Sequence, residues 1–133
     1  MKIRYKIWLE LGGRMLFGKG RAELLRALEE EGSLVKAAKR LNMSYRAAWG
    51  KLRASEEHPG VKLVEPSPAG RHGMALTPQG RLLLEEYERL LAEAEAFFGE
   101  RVGRFAAVAG KGPGRQKETP RAGTRGATRK KKA

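Results

Sequence analysis

The chain has 133 residues and a formal net charge of +13, with 28 Lys and Arg against 15 acidic residues, every one of them Glu. That length suits one domain and a tail, and that charge favours a polyanionic partner: DNA, RNA or an acidic membrane surface. The lack of cysteine excludes disulfides and thiolate metal sites, and no apolar run approaches the ~20 residues of a membrane span.

The chain opens on an alternation. Ile3, Tyr5, Ile7, Leu9 and Leu11 are apolar at every second position, with Trp8 the exception between them. This period of two predicts a half-buried strand and argues against a secretory segment, so a cytoplasmic protein is expected. Gly12-Gly13 ends the strand, and Met15-Leu16-Phe17 is a candidate return segment. Arg21 to Glu31 reads as a helix with Leu24, Leu25 and Leu28 on one face, closed by Gly32. Glu29, Glu30 and Glu31 oppose the macrodipole there and are expected to fray, as a solvated charged face.

The next stretch, Gly32 to Trp49, holds two helix-start signals one short helix apart. Ser33 caps one helix and Ser44 the other, with a tight turn at Asn42-Met43. Leu34, Ala37, Ala38 and Leu41 form one buried stripe. Tyr45, Ala48, Trp49 and Leu52 are expected on the inner face of the following helix. That leaves Arg46, Ala47, Gly50, Lys51 and Arg53 outside. This layout is a helix-turn-helix, whose second helix lies in the major groove of DNA. No acid occurs from Gly32 to Ser55, which suits a surface that approaches phosphates.

Val61–Glu65 and Met74–Thr77 are two short strand candidates around a loop rich in proline and glycine. A two-stranded ribbon after a helix-turn-helix is a wing. Thr77-Pro78 then starts a helix expected to run to about Phe98. Along it Leu83, Tyr87, Leu90, Ala94 and Phe97 are spaced four, three, four, three, backed by Leu84, Leu91 and Phe98. Such a heptad seam favours a second copy of the helix as its partner. Leu83, Tyr87, Leu90, Leu91, Ala94, Phe97 and Phe98 are the candidate dimerisation residues. From Gly110 to Ala133 there are nine Lys or Arg, one Glu and no large apolar residue. That segment cannot bury enough surface to offset its chain entropy, so a disordered basic tail is expected.

The segment Gly32-Ser33, Ala37-Ala38, Leu41 to Arg46 and Ala48-Trp49 resembles the DNA-binding domain of the molybdate-responsive ModE regulators. The chain is most similar to short forms that contain only that domain. Leu76-Thr77, Gly80, Leu83-Leu84 and Tyr87 match the pattern after the wing, and Gly20-Arg21-Ala22 with Leu24-Leu25 match the first helix. LysR-type regulators are more distant relatives. The resemblance implies a mainly α fold with a small β ribbon: a winged helix-turn-helix with a long C-terminal dimerisation helix, regulating transcription as a homodimer. The expected division is a domain over 1–99, with its dimerisation helix at about 78–98, and a tail over 100–133. A basic tail stands where full-length ModE carries molybdate-binding domains, so oxyanion sensing is not expected, nor is a bound cofactor or metal. The wing loop holds less glycine than is usual for that family.

The candidate DNA-binding residues fall into three groups. Ser44, Tyr45, Arg46 and Lys51 lie on the helix that meets base edges; Arg46 is suited to bidentate contact with guanine, worth ~1–3 kcal/mol of discrimination. Lys36, Lys39 and Arg40 on the preceding helix are suited to phosphates, which fix register but carry little sequence choice. Arg71 and His72 at the wing tip are suited to the minor groove or its phosphates. Gly50 inside the helix costs ~1 kcal/mol relative to alanine; it either lets the helix approach the DNA closely or reflects neutral drift. The tail adds salt-sensitive attraction to duplex DNA and is a candidate for RNA contact.

Catalysis finds little support, because His58 and His72 have no partner at motif spacing and the Glu pairs near Glu56 and Glu85 read as helix-surface charge. The expected function is a sequence-specific transcriptional regulator and not an enzyme. The competing readings are an architectural nucleic-acid-binding protein driven by charge, and an adaptor that binds another protein through the apolar helix.

Overall fold

A computed structural model describes residues 1–68, 70 and 72–110. Two units make up the described chain: residues 7–89, and residues 1–6 together with the chain from residue 90 onward.

The first unit begins with a hairpin, β1 (Leu9–Leu11) and β2 (Arg14–Phe17), paired antiparallel. Gly12 and Gly13 make its two-residue turn with φ of 62° and 80°, the left-handed region that a tight hairpin requires. The strand expected from Ile3 is therefore paired only from Leu9. Its partner β2 gives way to a helix after Gly18, so the ladder has nothing to bond further back.

Three helices follow: α1 (Lys19–Glu31), α2 (Leu34–Arg40) and α3 (Tyr45–Glu56). α1 starts two residues earlier than the sequence suggests and ends on Gly32 at φ 80°, whose N–H bonds the Leu28 carbonyl. Ser33 and Ser44 cap α2 and α3 as expected: each hydroxyl accepts from the backbone N–H three residues on, at 3.1 and 3.0 Å. Asn42 takes φ 59° between the two helices, and the Met43 N–H closes the turn on the Ala38 carbonyl. Leu24, Leu25, Leu28, Ala37, Ala38, Ala48 and Leu52 form the shared core with Phe17. A fully buried leucine there contributes about 1.5–3 kcal/mol over an exposed one.

The wing is β3 (Val64–Pro66) and β4 (Met74–Leu76), antiparallel, with Val64 opposite Leu76 and Pro66 opposite Met74. Its second strand is tied to the helices by Met74 N–H on the Gly32 carbonyl. The long helix α4 runs from Pro78 to Val108. It goes ten residues beyond Phe98, because Arg101, Val102, Arg104 and the run Phe105–Val108 keep helical composition, and the chain turns only at Gly110 with φ 76°.

Within residues 7–89 the start of α4 is closely fitted. The Thr77 hydroxyl accepts from Gly80 N–H and donates to the Lys62 carbonyl. Gln79 bonds Lys62 N–H and the Gly60 carbonyl. Tyr87 is only 2 % exposed: its ring meets Phe17 edge-on and its hydroxyl donates to the Ile7 carbonyl at 2.7 Å. Burial raises its pKa. Tyr87 therefore belongs to the protomer's own core and is withdrawn from the expected dimer seam. Leu84 is buried with it.

Glu29, Glu30 and, in part, Glu31 at the end of α1 keep the solvent exposure expected of them, but each is also paired. Glu29 pairs with Arg81, and Glu30 and Glu31 both pair with Arg40. Arg26 makes a bidentate pair with Glu88 at 2.6 and 3.0 Å, which raises the guanidinium pKa.

In the second unit, Tyr5 stacks on Phe98 at 4.5 Å between ring centroids, so Phe98 is partly engaged within its own chain. Phe97, half exposed, meets Phe98 edge-on and carries the Arg101 guanidinium 4.8 Å above its ring. Phe105 and Val108 are exposed and Leu90 just so, while Leu91 and Ala94 are half-buried. The remainder of the expected tail, from residue 111, lies outside the described residues.

Candidate nucleic-acid interface

Helix α3 is anchored by its back and its C-terminal end. Ala48 and Leu52 are fully buried. Ser55 Oγ donates to the Leu16 carbonyl at 2.6 Å, and His58 Nε2 sits 3.0 Å from the Met15 carbonyl. The first contact ties α3 to β2, and the second ties the turn just after α3 to the same strand. His58, which the sequence places in a loop, is thus a buried ring satisfied by backbone. From α1, Arg21 Nε donates to the Lys51 carbonyl at 3.1 Å, and burial lowers the Arg21 pKa.

Glu56 closes the end of α3. Its Oε2 accepts from the N–H groups of Leu63 and Val64 at 2.7 and 3.2 Å. The carboxylate thereby fixes where the wing begins, rather than serving as surface charge. Nothing local in the sequence signals this, because the role depends on residues seven and eight positions ahead.

The opposite face of α3 is open. Ser44, Arg46, Ala47, Gly50, Lys51 and Arg53 are all exposed. The Arg53 guanidinium lies 5.9 Å from the centre of the Trp49 ring. A Cβ added to Gly50 would meet nothing within 4 Å, so no internal packing requires glycine there. Tyr45 departs from the expected inner face: it is 51 % exposed. As the first residue of α3 it looks into a groove of about 470 Å³ between the helices and the wing, which Leu34, Val35, Trp49, Pro66 and His72 also line.

Helix α2 presents Lys36 and Lys39 to solvent. Arg40 behaves differently. Its guanidinium is 2.7 Å from Glu30 and 3.2 Å from Glu31, and those two carboxylates raise its pKa. Of the wing-tip candidates, His72 is exposed at φ 65°, while Arg71 lies outside the described residues.

Two serine-capped helices joined by an αL turn, a basic outward face on the second and an antiparallel ribbon after it define a winged helix-turn-helix domain of the DNA-binding class. The lysR family of bacterial regulatory helix-turn-helix proteins matches residues 20–81. The CbnR DNA-binding domain, solved in complex with DNA, is 34 % identical, superposes with a TM-score of 0.51, and shares 66 % of this chain and 95 % of its own. The chain belongs to that LysR-type family. Its sequence is also similar to ModE-type proteins: 36 % identity over 78 residues with the molybdenum-pterin-binding protein MopB of Rhodobacter capsulatus, and 34 % over 80 with the transcriptional regulator ModE of Haemophilus influenzae. These matches cover 57 % and 59 % of this chain, but only 28 % and 31 % of those longer proteins. Among the described residues no helix is long and apolar enough to cross a membrane.

Proposed function

We propose that this chain is a ModE-like transcriptional regulator that binds duplex DNA in a sequence-specific manner as a homodimer. The observation that carries the reading is α3 itself: Ala48 and Leu52 are sealed in the core while Arg46 and Lys51 stand exposed on the other side. Lys36 and Lys39 supply phosphate contacts beside it. Tyr45, Arg46 and Lys51 are the base-edge candidates, and His72 is the wing contact. Dimerisation rests on the far half of α4, where Leu90, Phe97 and Phe105 are exposed at intervals of seven and eight residues. An apolar helical stripe of nearly that heptad period suits a second copy of the helix. The MopB and ModE names bear on the class of regulator only; molybdate binding forms no part of the proposal.

A closed two-fold dimer places its recognition helices on half-sites ~34 Å apart or a multiple of that. Footprinting on sites selected from random duplexes tests the reading, and protection with dyad symmetry is the expected result. Protection of any duplex without preference, lost when Gly110 to Ala133 is deleted, would replace it with an architectural protein driven by charge.

A further inference from the structure

Arg40 lies in the acid-free basic stretch and on the same side of α2 as Lys36, four residues before it. Its charge would ordinarily count among those available to phosphates. Yet both Glu30 and Glu31 reach it from the end of α1, at 2.7 and 3.2 Å. Each partner remains partly exposed, with side-chain accessibilities of 40 %, 48 % and 34 % for Arg40, Glu30 and Glu31. The pair is therefore in contact with solvent and salt, and a phosphate must displace two carboxylates to engage the guanidinium. By contrast, among the described residues Lys36 and Lys39 have no carboxylate within salt-bridge distance, and both are exposed.

We infer that Glu30 and Glu31 form a clamp that withholds Arg40 from the DNA backbone and so sets how weakly the domain holds non-cognate duplex. Affinity for generic DNA follows the number of phosphates neutralised, and a guanidinium that stays paired with two carboxylates neutralises none, so the DNA keeps the counterion there. Because a regulator works by the ratio of cognate to non-cognate binding, limiting the second favours the search for the first. The inference rests on the DNA-binding reading above, and the acids it names lie outside the basic surface that defines that reading.

The test is a cycle of variants on a random-sequence duplex of fixed length, titrated by fluorescence anisotropy over a range of salt. Glu30→Gln with Glu31→Gln should bind about fivefold more tightly at 0.1 M salt, with a log–log salt slope steeper by about one. In an Arg40→Ala background the same two substitutions should change neither quantity. No tightening in the Glu double variant overturns the clamp, and so does a tightening that persists without Arg40, since that would be a general effect of removing negative charge. Thermal melting accompanies each variant; if the double variant melts early, Glu30→Gln alone replaces it, with a smaller shift expected in the same direction. A wild-type protein that binds no duplex at all would defeat the DNA-binding reading itself, whereas an unresponsive double variant defeats only the clamp.

Discussion

Gly80 stands against the Leu63 carbonyl so closely that a Cβ placed on it would lie 2.3 Å from the oxygen and 3.1 Å from the carbon. The backbone of α4's first turn and the chain leading into β3 are in direct contact, and Thr77 N–H bonds that same carbonyl at 2.9 Å. The Leu-Thr-x-x-Gly pattern thus has a physical basis: threonine caps the helix, and glycine lets it lie flush on the segment that begins the wing.

Gly80→Ala must push those two segments apart, since the obstacle is backbone and not a flexible side chain. A loss of about 1–3 kcal/mol is expected from such overpacking, seen as a drop of several degrees in Tm. An unchanged Tm would mean the contact yields without strain.

Glu56→Ala leaves the N–H groups of Leu63 and Val64 without the acceptor they share. Orphaning a partly buried donor costs about 1–3 kcal/mol, and Glu56→Gln, which retains an amide oxygen, should recover much of that. Urea unfolding at neutral pH compares the three proteins. Equal midpoints for the alanine and glutamine variants would show that the carboxylate's hydrogen bonds are not what matters.

Gly50→Ala is expected to move stability and binding in opposite directions. The new methyl meets nothing within the protein, and an alanine in mid-helix stabilises by about 0.5–1 kcal/mol. On DNA the same methyl stands on the outward face. Affinity for a selected site should fall by about tenfold, equal to about 1.4 kcal/mol. A stabilised protein that binds as tightly as before removes close approach as the reason for this glycine.

Arg46→Ala separates base reading from charge. The expected loss is about 1–3 kcal/mol on a selected site and much less on random duplex. If both affinities fall alike, Arg46 is a phosphate contact.

Phe97→Glu places a charge in the middle of the exposed stripe of α4. Sedimentation equilibrium should show a dimer reduced to monomer, with the wing and three-helix core unaffected in their melting. A dimer that survives the change sends the interface elsewhere.

The order of elements was readable from the chain because each boundary is local. A serine hydroxyl reaches only the N–H groups of its own first turn, so Ser33 and Ser44 mark α2 and α3 wherever the chain goes next. Paired glycines at 12 and 13 and the stop at Gly32 are likewise set by backbone sterics. The side of α3 that most residues take is readable for a related reason: helical period sends Ala48 and Leu52 one way and Arg46 and Gly50 the other, and fails at Tyr45, where the helix begins.

Local rules along the chain thus suffice for a winged helix-turn-helix frame and a positively charged second helix. Which charges stay available and which apolar residues stay uncovered depends on contacts that the folded chain brings together. Arg40 and Tyr87 show why. One has the composition of a DNA contact and the other the spacing of a dimer contact, but carboxylates nine and ten positions back claim the first, and Phe17 with the Ile7 carbonyl claims the second. Periodicity records which side of a helix a residue occupies; it does not record what the fold brings to that side.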